Sequence, residues 1–159
     1  MVHARNLVPK SIIKPICVSS KNIEILKHLD LKIFPIKYKN EYYQDLLTNK
    51  DKHSFLFIYN NEYIGEASYD LCHVKKRCYL MTLGVVNEYR SHGLGSQILS
   101  FVENMVRGER VERIYLHVQL KNMVASRFYL KWSYRVVKIE KDYYTKLDSQ
   151  CAIVLCKYL

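Results

Sequence analysis

The tightest constraint on how this chain can fold lies in residues 77–107, RCYLMTLGVVNEYRSHGLGSQILSFVENMVR. An apolar run from Cys78 to Val86 has the length and composition of a buried strand. It passes through a polar turn into Arg90-Ser91-His92-Gly93-Leu94-Gly95. Directly afterwards Ile98, Leu99, Val102, Met105 and Val106 recur at helical spacing, predicting an amphipathic helix with those residues on one face. Two glycines without Cβ atoms let the backbone curl tightly and let a ligand approach the main chain. The N–H groups that open the helix lack internal partners, and the helix dipole adds positive potential there. Such a corner suits phosphate or pyrophosphate, although a plain tight turn taken for packing would use the same glycines. The spacing is neither the dinucleotide GxGxxG pattern nor a Walker loop.

The rest of the chain can be ordered around that unit. Ile12, Ile13, Ile16 and Val18 predict a first strand, and Pro9 and Pro15 put it at a sheet edge or delay its start. Ser19 or Ser20 can cap a helix carrying Ile23, Leu26, Leu29 and Ile33, which should end near Phe34 because Pro35 follows. A loop rich in apolar side chains, Phe34 to Tyr38, leads to a short helix from Glu41 to Leu47. His53 to Tyr59 and Glu62 to Leu71 predict a hairpin about Asn60-Asn61. A basic turn, His73 to Lys76, enters the central strand. Arg113 to Val118 predicts a buried strand parallel to that one, because strand–helix–strand favours a crossover connection. Asn122 can cap a helix bearing Ala125, Phe128, Tyr129 and Trp132, and strands at Tyr134–Glu140 and Cys151–Tyr158 close the chain. No repeat or second domain interrupts residues 1–159; residues 1–20 form a divergent arm and first strand.

Composition sets outer limits. A chain of 159 residues, 49% hydrophobic, can bury a sizeable core. It has no apolar run long enough for a membrane helix, and Met1 to Lys10 is too polar for a signal peptide. Five cysteines (Cys17, Cys72, Cys78, Cys151 and Cys156) without a CxxC pair predict reduced thiols, a cytosolic or nuclear setting and no metal site. The formal charge of +10 favours polyanionic company. Because the basic residues are spread along the chain, they predict no specific nucleic-acid site.

Arg90-x-x-Gly93-x-Gly95 is similar to the Arg/Gln-x-x-Gly-x-Gly/Ala signature with which GNAT acetyltransferases hold the pyrophosphate of acetyl-coenzyme A (acetyl-CoA). Four longer stretches resemble, within that superfamily, the catalytic subunits of NatE-type N-terminal acetyltransferases: IFPIKY (33–38), YLMTLGV (79–85), IYLHVQ (114–119) with Asn122, and DYYTKL (142–147). The likeness runs from about Ile23 to Leu159. It implies an α/β (α+β) GNAT fold: a mixed, mostly antiparallel sheet of about seven strands with flanking helices, splayed between the fourth and fifth strands. It also implies acetyl-CoA as the acetyl donor. Arg90, Gly93, Leu94 and Gly95 would take the pyrophosphate, backbone groups of Met81, Thr82 and Leu83 the pantetheine arm, and Asn122 and Tyr129 would lie beside the coenzyme. Ser91 and His92, in variable positions of the signature, read as solvent-facing.

The same resemblance implies that Phe34, Pro35, Ile36 and Tyr38 form one wall of a pocket for a peptide's amino-terminal residues, and Tyr143, Tyr144 and Leu147 the other. Tyr79 and His117 would hold the water that takes the amine's proton; of the two, histidine is the natural acceptor and tyrosine the orienter. Tyr129 could protonate the leaving thiolate or could simply be a packed aromatic. Cys72 and Cys78 are not expected to act as nucleophiles. The implied partner is a peptide or nascent-protein amino terminus beginning with Met and an apolar residue. Auxiliary subunits at the ribosome are implied as well, in the cytoplasm. Two readings compete: a GNAT enzyme acting on internal lysines or small amines, and a non-catalytic subunit of this fold. One departure stands out. Where the family has Phe-Gly-Phe after the last helix, this chain has Trp132-Ser133-Tyr134, so Ser133 must adopt a left-handed conformation at some cost or the helix must end differently.

Overall fold

Alternation along residues 55–57 sets the layering. Phe55 and Phe57 are buried in one apolar cluster and Leu56 in another, because successive side chains of a strand point to opposite faces. The computed structural model describes residues 13–159. In chain order the elements are β1 (Lys14–Cys17), α1 (Ile23–Ile33), α2 (Asn40–Thr48), β2 (Lys52–Tyr59), β3 (Glu62–Cys72) and β4 (Arg77–Val85). A short 3-10 turn (Asn87–Tyr89) then leads to α3 (Leu94–Arg107), β5 (Arg113–Gln119), α4 (Met123–Lys131), β6 (Arg135–Glu140) and β7 (Ala152–Tyr158). The seven strands form one sheet in the order β1-β2-β3-β4-β5-β7-β6. α3 and α4 cover one face through Ile98, Leu99, Val102 and Tyr129. α1 and α2 cover the other through Leu26, Leu29, Tyr43 and Leu46.

All neighbours pair antiparallel except β4 and β5, which run parallel. That contact is short: only Arg77, Cys78 and Tyr79 pair, with Arg113, Ile114 and Tyr115. Beyond it the strands part, as the resemblance implied. Glycine at 84 brings α1 close to the parting, since a Cβ there would lie 2.2 Å from Ile33 Cγ2. The mixed sheet, its splay and the hairpin about Asn60 and Asn61 agree with expectation. Both hairpin asparagines take positive φ (49° and 63°), as a two-residue turn between twisted strands requires. Pro15 lies inside β1, at the sheet edge, where a missing N–H costs no ladder bond. Pro9 and Ile12 lie outside the described residues. Among the described residues no helix is long and apolar enough to cross a membrane.

Two local expectations need correction. Neither Ser19 nor Ser20 caps α1; Asn22 occupies that position, and no side chain caps it. The Asn22 amide is committed backwards, its Oδ1 accepting from Ser19 N (2.7 Å) and its Nδ2 donating to Cys17 O (3.0 Å). Met105 is 40% exposed, at the rim of the α3 apolar face, whose buried residues are Leu94, Ile98, Leu99, Val102, Glu103 and Val106.

Two buried carboxyls went unforeseen. Asp30 on α1 and Glu66 on β3 are 2% and 0% exposed. Tyr43 OH donates to Asp30 Oδ2 (3.0 Å), and Thr82 Oγ1 to Glu66 Oε2 (2.7 Å). Among the described residues Asp30 Oδ1 and Glu66 Oε1 have no hydrogen-bond partner. Burial drives both carboxyls above the ordinary carboxylate range, and the negative charge of Asp30 pushes Glu66 further.

After α4 the backbone of Ser133 takes φ 68°, so the left-handed geometry is adopted without glycine. Tyr134 N donates back to Tyr129 O (3.1 Å), the bond that closes such a helix end. Ser133→Gly should therefore raise stability by about 1 kcal/mol, read from urea melts. A second outcome follows from the buried acids. Unfolded carboxyls ionise near pH ~4, whereas these two keep their protons to higher pH when folded. Above that value the unfolded chain binds fewer protons, so this pair makes stability decline as pH rises towards neutrality. Glu66→Gln should flatten that decline, measured by melts at about pH 5 and about pH 8.

Candidate active site

Where β4 and β5 separate, a cavity of about 530 Å³ opens between them. Its floor and sides come from the parting strands: Tyr79, Leu80, Met81, Thr82 and Leu83 on β4, and Leu116, His117, Val118 and Gln119 on β5. One mouth is walled by the loop after α1 (Phe34, Pro35, Ile36, Tyr38) and by Tyr42 of α2. Opposite stands the loop between β6 and β7, with Tyr143, Tyr144 and Leu147. The remaining wall is the start of α4, with Asn122, Ala125 and Tyr129.

Each wall is fixed by interactions of its own. Tyr38 packs edge-on against Phe34 (6.0 Å) and stacks on Tyr42 (4.6 Å), contacts that favour a preformed aromatic surface. The opposite loop is closed by Tyr144 N donating to Gln150 O (2.9 Å) and is tied to β5 by Gln119 Nε2 donating to Ser149 O (3.0 Å). Asn122 caps α4 as expected, its Oδ1 accepting from Ala125 N at 3.1 Å. Thr82 joins the cavity to the buried acid beneath it through its bond to Glu66.

At the centre, Tyr79 OH lies 3.1 Å from His117 Nδ1 and 3.0 Å from Tyr143 OH. The Tyr143 ring stacks on the imidazole at 4.0 Å, with 7° between planes. On the far side of the ring, His117 Nε2 lies 2.9 Å from Glu140 Oε2. Burial holds the Tyr79 phenol well above its ordinary value, and the Tyr143 hydrogen bond adds to this. Tyr79 therefore stays protonated and is a donor, not a base. Glu140 is held below the ordinary range by Lys138 first and His117 second.

The structure thus gathers Tyr79, His117, Met81, Thr82, Leu83, Asn122, Tyr129 and all seven wall residues around one cavity. Arg90, Gly93, Leu94 and Gly95 are absent from its lining and form the turn into α3 instead. There Gly93 takes φ 75°, and no side chain caps the helix, so its opening amides are available to an anion. The Leu94 side chain is buried, leaving its backbone to serve that corner. Arg90 Nε donates to Val85 O (2.8 Å), fastening the turn to the end of β4. Ser91 and His92 are exposed, as expected.

Beyond the three pairs at its start, β4 has no strand on its β5 side among the described residues. The free backbone edge there can pair with the amides of an extended ligand, which suits a pantetheine arm running towards the amides of α3. Tyr129 is buried edge-on against Phe128 and Tyr134 (5.1 and 5.4 Å) and still lines the cavity. Cys72 and Cys78 are absent from the lining, and burial pushes the Cys78 thiol up to about 12. Among the described residues no group of three or more His, Cys, Asp or Glu is placed to hold a metal ion.

Sequence reasoning missed Glu140, Tyr42, Leu80, Leu116, Val118, Gln119 and Ala125. For the strand residues a signal was present, because positions flanking Tyr79 and His117 must follow them into the parting. Glu140 left no such signal: it approaches His117 from β6, with β7 in between.

The Acetyltransferase (GNAT) family model matches residues 23–134. N-alpha-acetyltransferase 50 of Danio rerio is 34% identical over 145 residues, covering 89% of this chain and 86% of its own. The probable N-acetyltransferase san of Drosophila melanogaster is 31% identical, covering 89% and 78%. Among solved structures, Arabidopsis thaliana Naa50 in complex with the bisubstrate analogue CoA-Ac-MVNAL superposes with a TM-score of 0.83. It is 31% identical, with 92% of this chain and 99% of that one covered.

Proposed function

The chain belongs to the GNAT acetyltransferase family, and from that premise we propose that it is an N-terminal protein acetyltransferase: it moves the acetyl group of acetyl-CoA to the α-amino group of peptides beginning with Met and an apolar residue. The observation that carries this reading is that two apolar, aromatic loops line the same cleft as Tyr79 and His117, one of them touching both residues through Tyr143. Full burial of a Met side chain between such walls contributes about 1.5–3 kcal/mol, enough for a preference of roughly ten-fold or more over Ala or Ser. The Arabidopsis relative, bound to an analogue whose peptide begins Met-Val, supports the same choice.

In this reading the donor is held by the free edge of Met81, Thr82 and Leu83, with Asn122 and Tyr129 beside it, and its pyrophosphate by Arg90 and the amides of Gly93, Leu94 and Gly95. Bound there, acetyl-CoA supplies the activated thioester carbonyl. A substrate α-amine, with a pKa near ~8, is already partly neutral at physiological pH. Phe34, Pro35, Ile36, Tyr38, Tyr143, Tyr144 and Leu147 seat the first residues of the peptide and point that amine down the cleft. A water held by Tyr79 and His117 receives the proton the amine sheds, with His117 as the final acceptor. Tyr129, which lines the same cavity and is kept protonated by burial, is the proton donor to the departing sulfur in this reading. The protein partner is a peptide or nascent-protein amino terminus, met in the cytoplasm, with auxiliary subunits of an N-terminal acetyltransferase complex as the means of reaching it at the ribosome.

Purified protein given acetyl-CoA should acetylate Met-Leu peptides at least about ten-fold faster than Ser- or Ala-starting ones. An amino-terminally blocked peptide with an internal lysine should react poorly. Transfer to the blocked peptide alone, or to none, would overturn the proposal. Within the same assay His117→Ala and Tyr79→Phe should each lower kcat by about ten-fold or more; near-normal turnover in both would remove them from the mechanism.

A further inference from the structure

His117 has a partner on each nitrogen, and only one of the two contacts fixes where the proton sits. β7 separates β5 from β6, yet His117 pairs with Val154, and Val154 in turn with Lys138. The side chains of His117, Lys138 and Glu140 therefore share one face of the sheet. Glu140 Oε2 reaches His117 Nε2 at 2.9 Å, while Oε1 is ion-paired with Lys138. An ionised carboxylate only accepts hydrogen bonds, so the shared proton belongs to Nε2. In the neutral imidazole Nδ1 then carries the lone pair, and its 3.1 Å neighbour Tyr79 OH must donate to it. With its own proton engaged, Tyr79 accepts from Tyr143 OH at 3.0 Å. Every bond from Tyr143 to Glu140 thus has one direction.

We propose that Glu140 is a positioning residue for the transfer reaction: its carboxylate locks His117 as the Nε2–H tautomer, turns the basic Nδ1 towards the cleft, and balances the charge when Nδ1 accepts a proton. The proton leaves the amine nitrogen and passes through water to the Tyr79 oxygen while the Tyr79 proton moves to Nδ1; the reverse relay returns it to solvent after product leaves. Glu140 stays ionised throughout. Its kinetic consequence rests on the acetyltransferase reading above; its structural content does not.

Imidazole nitrogen NMR on the protein without substrate reads the tautomer directly. Wild type should show His117 protonated at Nε2. In Glu140→Gln the side-chain amide can donate to Nε2, so the Nδ1–H form should become populated, whereas Glu140→Asp should keep the original tautomer in good part. In the peptide assay Glu140→Gln should lose about ten-fold or more in kcat, with KM for both substrates held within about two-fold. An Nδ1–H tautomer in wild type would overturn the assignment. So would an unchanged tautomer in Glu140→Gln, or a loss confined to KM. The wild-type spectrum decides even if a variant folds poorly. An Nε2–H signature in a protein that acetylates no peptide would count against the functional reading alone.

Discussion

Three residue pairs, Arg77–Tyr79 with Arg113–Tyr115, join the two halves of the sheet before β4 and β5 diverge. The cleft follows from that brevity. A longer parallel ladder would satisfy the β4 edge and close the cavity, and no ladder at all would leave the halves unregistered. At the last pair, Tyr79 and Tyr115 stack at 4.8 Å, so the seam ends on aromatic surface rather than on exposed backbone. The opening is then braced from outside: by α1 through the close approach to Gly84, and by the turn into α3 through the Arg90 bond to the end of β4. Backbone left unpaired inside a fold is costly, and a ligand with amides of its own is the natural means of satisfying it.

Polarity within the cleft is concentrated. Most of its lining is apolar or aromatic, and that same lining, by excluding water, keeps Tyr79 a neutral donor. Sheet geometry brings an imidazole, a phenol and a carboxylate into line from three different strands, and the second phenol arrives on a loop. The ordering depends on each group having one remaining option once its neighbour has chosen.

Local chemistry was well written in the amino-acid order. The strand, glycine turn and helix at 77–107, the Asn60-Asn61 hairpin and the Asn122 cap depend on residues a few positions apart, and each is present. The two pocket walls were legible through family likeness and not through periodicity, since an apolar loop alone could equally well close a core. What escaped notice depended on register between distant segments. Glu140 meets His117 only because β7 spaces their strands and the β6–β7 pairing shifts between Val136 and Lys138. Asp30 and Glu66 sit among apolar neighbours in the sequence, and nothing local announces that both are buried. Met105 satisfied the helical spacing yet lies at the rim of its face, because spacing defines a stripe but not how far the neighbouring layer extends. At Asn22 two possible uses of one amide competed, and tethering the preceding strand prevailed over capping.

The flat stack of Tyr143 on His117 has a stereochemical consequence. A ring lying 4.0 Å above the imidazole and nearly parallel to it shields one face of the heterocycle, while the lone pair of a ring nitrogen projects outward within the plane. Both in-plane positions are taken, by Tyr79 at Nδ1 and Glu140 at Nε2, so a proton reaches the ring edgewise through the Tyr79 hydroxyl, and the direction of approach is dictated before the reactants meet. In the proposed reaction the loop carrying Tyr143 thereby doubles as a guide rail: what grips the incoming chain also sets the angle at which its terminus arrives.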